Sequence, residues 1–213
     1  PFHPKMTVII GENDVGKSSV IKSIYWTLGA EAAKVHPNWV EANIKSLLTF
    51  TVDDVRYRVL RERNSFSFFT DDGKLVIRAD SVVKELAPFM AELLDFKLVL
   101  SNRAGEPEIP PPAYAFLPFY IDQDDGWTKP LESFANLAQY SAYKKPVIEF
   151  HTGILPNEFY VLEANKRQIL VKQREFLADR NVVQKAMEKV GLTATFDGLE
   201  LSTEGHEAAI ERL

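Results

Sequence analysis

The chain has 213 residues, 46% of them hydrophobic, with 25 basic and 30 acidic side chains and a net charge of −5. That balance allows one sizeable core and excludes a simple polyanion binder, so any nucleic-acid contact has to come from a local basic surface. Cysteine is absent, which removes disulfides, thiolate zinc sites and cysteine nucleophiles and suits a reducing cytoplasm. His3, His36, His151 and His206 show no metal-ligand spacing. No apolar run approaches the ~20 residues of a membrane span, so no membrane partner is expected. The opening "PFHPK" has no charged region followed by an apolar one, and no initiator methionine. It reads as a trimmed front without a signal peptide.

Thr7 to Ile10 are β-prone and predict a buried strand. Gly11-Glu12-Asn13-Asp14-Val15-Gly16-Lys17-Ser18 then matches G-x-x-x-x-G-K-[ST] at every fixed position. Glycines at those places let the backbone N–H groups converge on phosphate oxygens. Lys17 reaches the β- and γ-phosphates as a point charge, and the Ser18 hydroxyl is placed to ligate Mg²⁺. The loop-binding set is therefore Gly11, Asn13, Asp14, Val15, Gly16, Lys17, Ser18 and Ser19. A helix from Ser18 to about Leu28 aims its positive end at the same anion, with Val20, Ile21, Ile24, Tyr25 and Leu28 as its apolar face. The loop is suited to a nucleoside triphosphate; the motif does not distinguish ATP from GTP.

After Gly29, "AEAAKVHPNWVEANIK" reads as a loop with a helical turn. From Ser46 to Asp80 apolar and polar residues alternate between turns at "DD", "RN" and "DDG", predicting an antiparallel meander of three or four strands. "SVVKELAPFMAELLDF" has helical periodicity broken or bent at Pro88. "RAGEPEIPPPA" predicts a loop and a boundary, because three prolines suit neither a helix nor a central strand. "LESFANLAQYSAYK" reads as a short helical region and "HTGILPNE" as a further loop. From Glu158 to Val190 there is neither proline nor glycine, and Leu162, Ile169, Phe176, Val183 and Val190 recur every seven residues. That interval asks for a supercoiling partner, although Lys166, Gln173 and Arg180 weaken the second seam position. Gly191 would cap the helix. Residues 191–213 have no assignable pattern.

"FLPFYIDQDDGW" supports three readings. Gln123 can be a functional glutamine in a loop that follows a strand, the Q-loop reading. Alternatively Phe119–Asp122 is a Walker B strand, with Asp122 holding Mg²⁺. Pro118 argues against that second reading, since proline cannot donate within a central ladder. The plainest reading is a solvated turn. A Ca²⁺ loop from Asp122, Asp124 and Asp125 fails, because Gly126 and Ser133 stand at the wrong positions.

The order of these parts resembles the N-terminal half of an SMC-like ATPase head, of the kind found in SbcC-type repair proteins and bacterial anti-phage defence. The resemblance covers residues 1–190. It implies an α/β P-loop fold of ABC type with an inserted β-lobe at about 45–80, and a Q-loop region at about 115–127. The half-head would span 1–157 and the coiled-coil arm 158–190. It also implies ATP and Mg²⁺ as cofactors, Lys17 and Gln123 as catalytic residues, and Ser18 and Gln123 near the metal. The expected partners are the C-terminal half of the same head, a second head closing over ATP, double-stranded DNA, and a nuclease or effector subunit. The expected location is the cytoplasm, on the nucleoid in a prokaryote. No signature motif follows the coil, so the chain reads as a fragment that binds ATP and scarcely hydrolyses it. Between Val161 and Val190 seven basic residues face four acidic ones, which suits either DNA or a solvated coil face. Two alternatives stand beside this one. The first is a self-contained nucleotide-binding regulatory module with Asp122 as Walker B and the long helix as a docking surface. The second is a P-loop small-molecule kinase.

Overall fold

Alternating side chains between Lys45 and Ala79 build a four-stranded antiparallel sheet in the order β1 (Lys45–Val52), β2 (Val55–Glu62), β3 (Ser65–Thr70) and β4 (Leu75–Ala79). The computed structural model describes residues 2–3, 5–124, 126–140, 142–155 and 157–189. Val52 pairs with Val55 across a two-residue turn in which Asp53 and Asp54 both take positive φ, a conformation short polar residues tolerate. The inward residues Val59, Phe66, Phe68 and Ala79 are fully buried. They pack on a helical segment whose Leu86 and Met90 complete this core, with the rings of Phe68 and Phe89 edge to face at 4.8 Å. That segment starts as a π-helical turn (Val82–Leu86) and becomes α3 (Ala87–Leu93) at Pro88, so the break falls where proline removes a backbone donor.

The sheet is fastened to α1 (Lys17–Thr27) by Arg61, which is only 2% exposed. Its guanidinium donates to the carbonyls of Trp26 and Arg63 and to Glu31, and lies 3.9 Å over the Trp26 ring. Five donors in a planar fork suit such a junction better than a lysine could. On the same helix Thr27 is buried and meets Ser46 of β1 through its hydroxyl.

A second core gathers Ala30, Phe96, Leu98, Tyr114, Leu117, Tyr140, Val147 and Tyr160. It is assembled from α4 (Ala113–Phe116), α5 (Lys144–His151) and the start of α6 (Asn157–Lys189), with a short hairpin of β5 (Leu100–Ser101) and β6 (Pro107–Glu108). α2 (Pro37–Glu41) is the helical turn in the loop after α1. Among the described residues of "LESFANLAQYSAYK", the helical structure before α5 is a 3₁₀ turn, Leu137–Gln139. Its Leu137 carbonyl accepts from the buried Tyr114 hydroxyl at 2.9 Å.

Two expectations are corrected. Pro110–Pro112 are buried and do not mark a boundary. Pro112 packs against Gly29, where φ is +91° and a Cβ would stand 3.3 Å from Pro112 and 2.5 Å from Leu86. Proline there supplies apolar surface in a place that needs no backbone donor. Thr7–Ile10 also departs from the expected buried strand. It joins no sheet among the described residues, and Ile10 is 89% exposed. β-prone residues form a strand only when a neighbour takes up their backbone groups, and none of the described strands does so.

The chain divides into two units, residues 1–168 and 169–213. In the second unit, the described part is helix, with Ile169, Phe176 and Val183 exposed along it. Val190, Gly191 and the tail lie outside the described residues. No helix among the described residues is long and apolar enough to cross a membrane.

Candidate nucleotide site

Gly16 takes φ +88° and ψ 17°, the left-handed turn that glycine makes without strain, and α1 starts at the next residue. Asp14 also has positive φ. The first helical bond runs from the Val20 amide to the Gly16 carbonyl. No side chain caps the N-terminus of α1, and its first turn carries no acid. Among the described residues, then, no side-chain cap competes for the opening amides of this eleven-residue helix. Gly11 sits close under the loop: a Cβ there would come within 3.0 Å of Val15.

The Lys17 ammonium curls back over the loop and donates to the Gly11 carbonyl at 2.8 Å and to that of Glu12. The Ser18 hydroxyl donates to Gln123 Oε1 at 3.3 Å. These two residues lie 105 positions apart in the chain. A cavity of about 980 Å³ opens here, lined by Asn13, Asp14, Gly16, Lys17, Ser18 and Ser19. His36, Asn38, Trp39, Ala42, Ile44 and Gln123 complete its lining. Val15 is exposed rather than lining it.

Asp122 behaves differently from its neighbour. It is 4% exposed and pairs at 3.3 Å with Lys22, itself buried on α1. Residues 119–122 join no sheet among the described residues, and Leu117–Phe119 is a 3₁₀ turn containing Pro118. Beside Asp122 the Tyr120 phenol is pushed well above its usual range, first by burial and then by the Asp122 charge. It is a neutral packing residue against Tyr25 and Phe134.

The donors present suit a magnesium nucleotide better than a free cation. Among the described residues no three His, Cys, Asp or Glu side chains gather around a metal position. Ser18 and Gln123 offer two neutral oxygens. Mg²⁺ commonly accepts such sparse protein ligation when phosphate oxygens and water fill its shell. The sequence reading did not single out Lys22, His36, Asn38 or Trp39. For Lys22 the only signal was a lysine one turn beyond Ser18, on the same face of α1.

No family model and no solved structure matches the chain. It is 32% identical over 158 residues to Lamassu protein LmuB of Bacillus cereus (strain VD014), covering 74% of this chain and 27% of that protein. A second Lamassu protein LmuB, from Bacillus sp. (strain NCIM 5461 / CCTCC AB 2011126 / NIO-1130), is 32% identical over 116 residues, 54% of this chain and 20% of that protein. Structural maintenance of chromosomes protein 4 of Schizosaccharomyces pombe is 26% identical over 174 residues, 74% of this chain and 13% of that protein. The chain thus spans between 13% and 27% of the length of these relatives. Their likeness supports the SMC-like resemblance read from the order of the parts.

Proposed function

We propose that this chain is the N-terminal half of an SMC-like ATPase head that binds ATP with Mg²⁺. The observation that carries the reading is the meeting of Ser18, in the phosphate-loop motif, with Gln123 from a loop 105 residues away. A glycine turn serving only to join a segment to a helix has no need of that second element. Lys17 and the first amides of α1 hold the phosphates. Ser18 and Gln123 hold the metal from one side, and His36, Asn38 and Trp39 give the base a wall to lie against. Bound Mg²⁺ would supply charge neutralisation at the phosphoryl oxygens.

Hydrolysis is assigned to an assembly: this half, a C-terminal half with the catalytic glutamate and signature motif, and a second head. Positioning and electrostatics provide nearly all of phosphoryl-transfer catalysis, so half a site loses most of the rate. Head closure gates DNA binding or tethering in this reading, with α6 as the start of the coiled-coil arm. Support comes from the heptad stripe, from the basic excess along it, and from the likeness to a chromosome-maintenance protein. The likeness to Lamassu proteins supports placing the work in defence.

Isothermal titration with Mg-ATP tests the site. Lys17→Ala should lower affinity by roughly 10- to 100-fold, the scale of lost charge-assisted hydrogen bonds. Ser18→Ala should act mainly on the Mg²⁺-dependent part. A folded Lys17→Ala chain that binds ATP as well as the parent overturns the assignment. Phosphate release by the chain alone, at about 1 s⁻¹ or faster and lost in Lys17→Ala, would overturn the split-head reading.

A further inference from the structure

Lys22 is a charged side chain that α1 has no local reason to bury. It stands four residues beyond Ser18, on the same face of the helix. Its ammonium makes three contacts, two to the loop that carries Gln123 and one to the loop after α1. It pairs with Asp122 Oδ2 at 3.3 Å, with Asp124 Oδ2 at 3.3 Å, and donates to the Lys34 carbonyl at 2.8 Å. Asp122 and Asp124 are the two residues that flank Gln123. Lys34 lies two positions before His36, which lines the cavity.

The loop around Gln123 is also fixed from behind. The Asp122 amide donates to the buried Ser133 hydroxyl at 3.1 Å, and the Asp122 carbonyl accepts from the Gly126 amide at 3.1 Å. A Cβ on Gly126 would stand 2.5 Å from that carbonyl, so the backbones approach as only glycine allows. Desolvating an ammonium and a carboxylate is costly, and a methionine could fill similar volume with less penalty. What a methionine could not do is satisfy three acceptors drawn from two separate loops.

We propose that Lys22 is a positioning residue. It clamps both flanks of Gln123 to the phosphate-loop helix, so that the Gln123 amide is held at Ser18 before any metal or nucleotide arrives. The same ammonium ties the 31–44 loop to that assembly, making one rigid frame of the helix and the two loops. The functional part of this proposal rests on the nucleotide reading of the site; the clamp itself does not.

The test uses hydrogen exchange on peptides covering 120–124, without nucleotide, in the parent chain and in Lys22→Met, Lys22→Arg and Asp124→Asn. Folding of each is checked by circular dichroism. Lys22→Met should speed exchange at 122–124 by roughly tenfold, the scale of one buried hydrogen bond, with the β1–β4 sheet unchanged. Asp124→Asn, at a half-exposed position that leaves the Asp122 pair in place, should give a smaller rise and keeps the test open if Lys22→Met does not fold. Lys22→Arg should restore most of the protection. Titration with Mg-ATP, and with ATP in EDTA, then reads the function: Lys22→Met should weaken the Mg²⁺-dependent part several-fold and leave the metal-free part alone. Unchanged exchange at 120–124 in both Lys22→Met and Asp124→Asn overturns the clamp, whatever nucleotide binding does. Raised exchange in the variants, with a parent chain that binds no ATP, keeps the clamp and overturns the nucleotide reading. Raised exchange with Mg-ATP binding untouched keeps the contact and overturns its positioning role.

Discussion

The four-stranded sheet and the segment Thr7–Ile10 are built from the same kinds of residue, and they end up in opposite conditions. In the sheet each strand finds its neighbour within a few residues, across a tight turn, and its inward side chains are buried. The segment before the phosphate loop has no such local neighbour. A strand that feeds a helix through a phosphate loop pairs with strands brought from far along a chain. None of the described strands plays that part, and the segment stays exposed. The difference teaches that propensity selects a conformation only where the partner is also supplied. One region satisfies itself; the other finds no strand to pair with among the described residues.

The contrast can be broken or sharpened by urea denaturation. The largest effect should come from Phe68→Ala. This ring is fully buried between the sheet and α3, and its loss should cost about 3–5 kcal/mol. Arg61→Met comes next, at about 2 kcal/mol, because it strands the Trp26 and Arg63 carbonyls and releases the sheet from α1. A value near zero would mean that the sheet stands without its link to α1. Ile10→Ser should have the smallest effect, within about 0.5 kcal/mol, as for an exposed position. If it costs as much as Phe68→Ala, the segment is packed in solution and the contrast collapses.

The same distinction explains what could be read in advance. The turn at Gly16, the start of α1, the meander and the long helix were legible because each is encoded by neighbours: a glycine before a lysine, a period of two, a period of seven. Pro110–Pro112 misled, because a run of prolines marks a loop from local chemistry alone, whereas its burial depends on Gly29 some eighty residues earlier. Lys22 and Thr27 read as the polar side of an amphipathic helix. Both are buried, because their partners come from other elements: Asp122 and Asp124 for the lysine, Ser46 for the threonine. The helical stripe of Ile169, Phe176 and Val183 was visible in the sequence, but a stripe names only its own side of a contact.

The chain contains three tryptophans, and Arg61 makes one of them an instrument. A cation held 3.9 Å above the Trp26 ring sets the electric surroundings of that indole, and the edge of Trp39 lies against it with centroids 6.3 Å apart. The contact spans the joint between sheet and helix, so any loosening of the joint changes the light the indole absorbs and emits. Trp127, 82% exposed, supplies a solvated reference within the same molecule. The attachment of the sheet can therefore be followed optically, in real time and without a label.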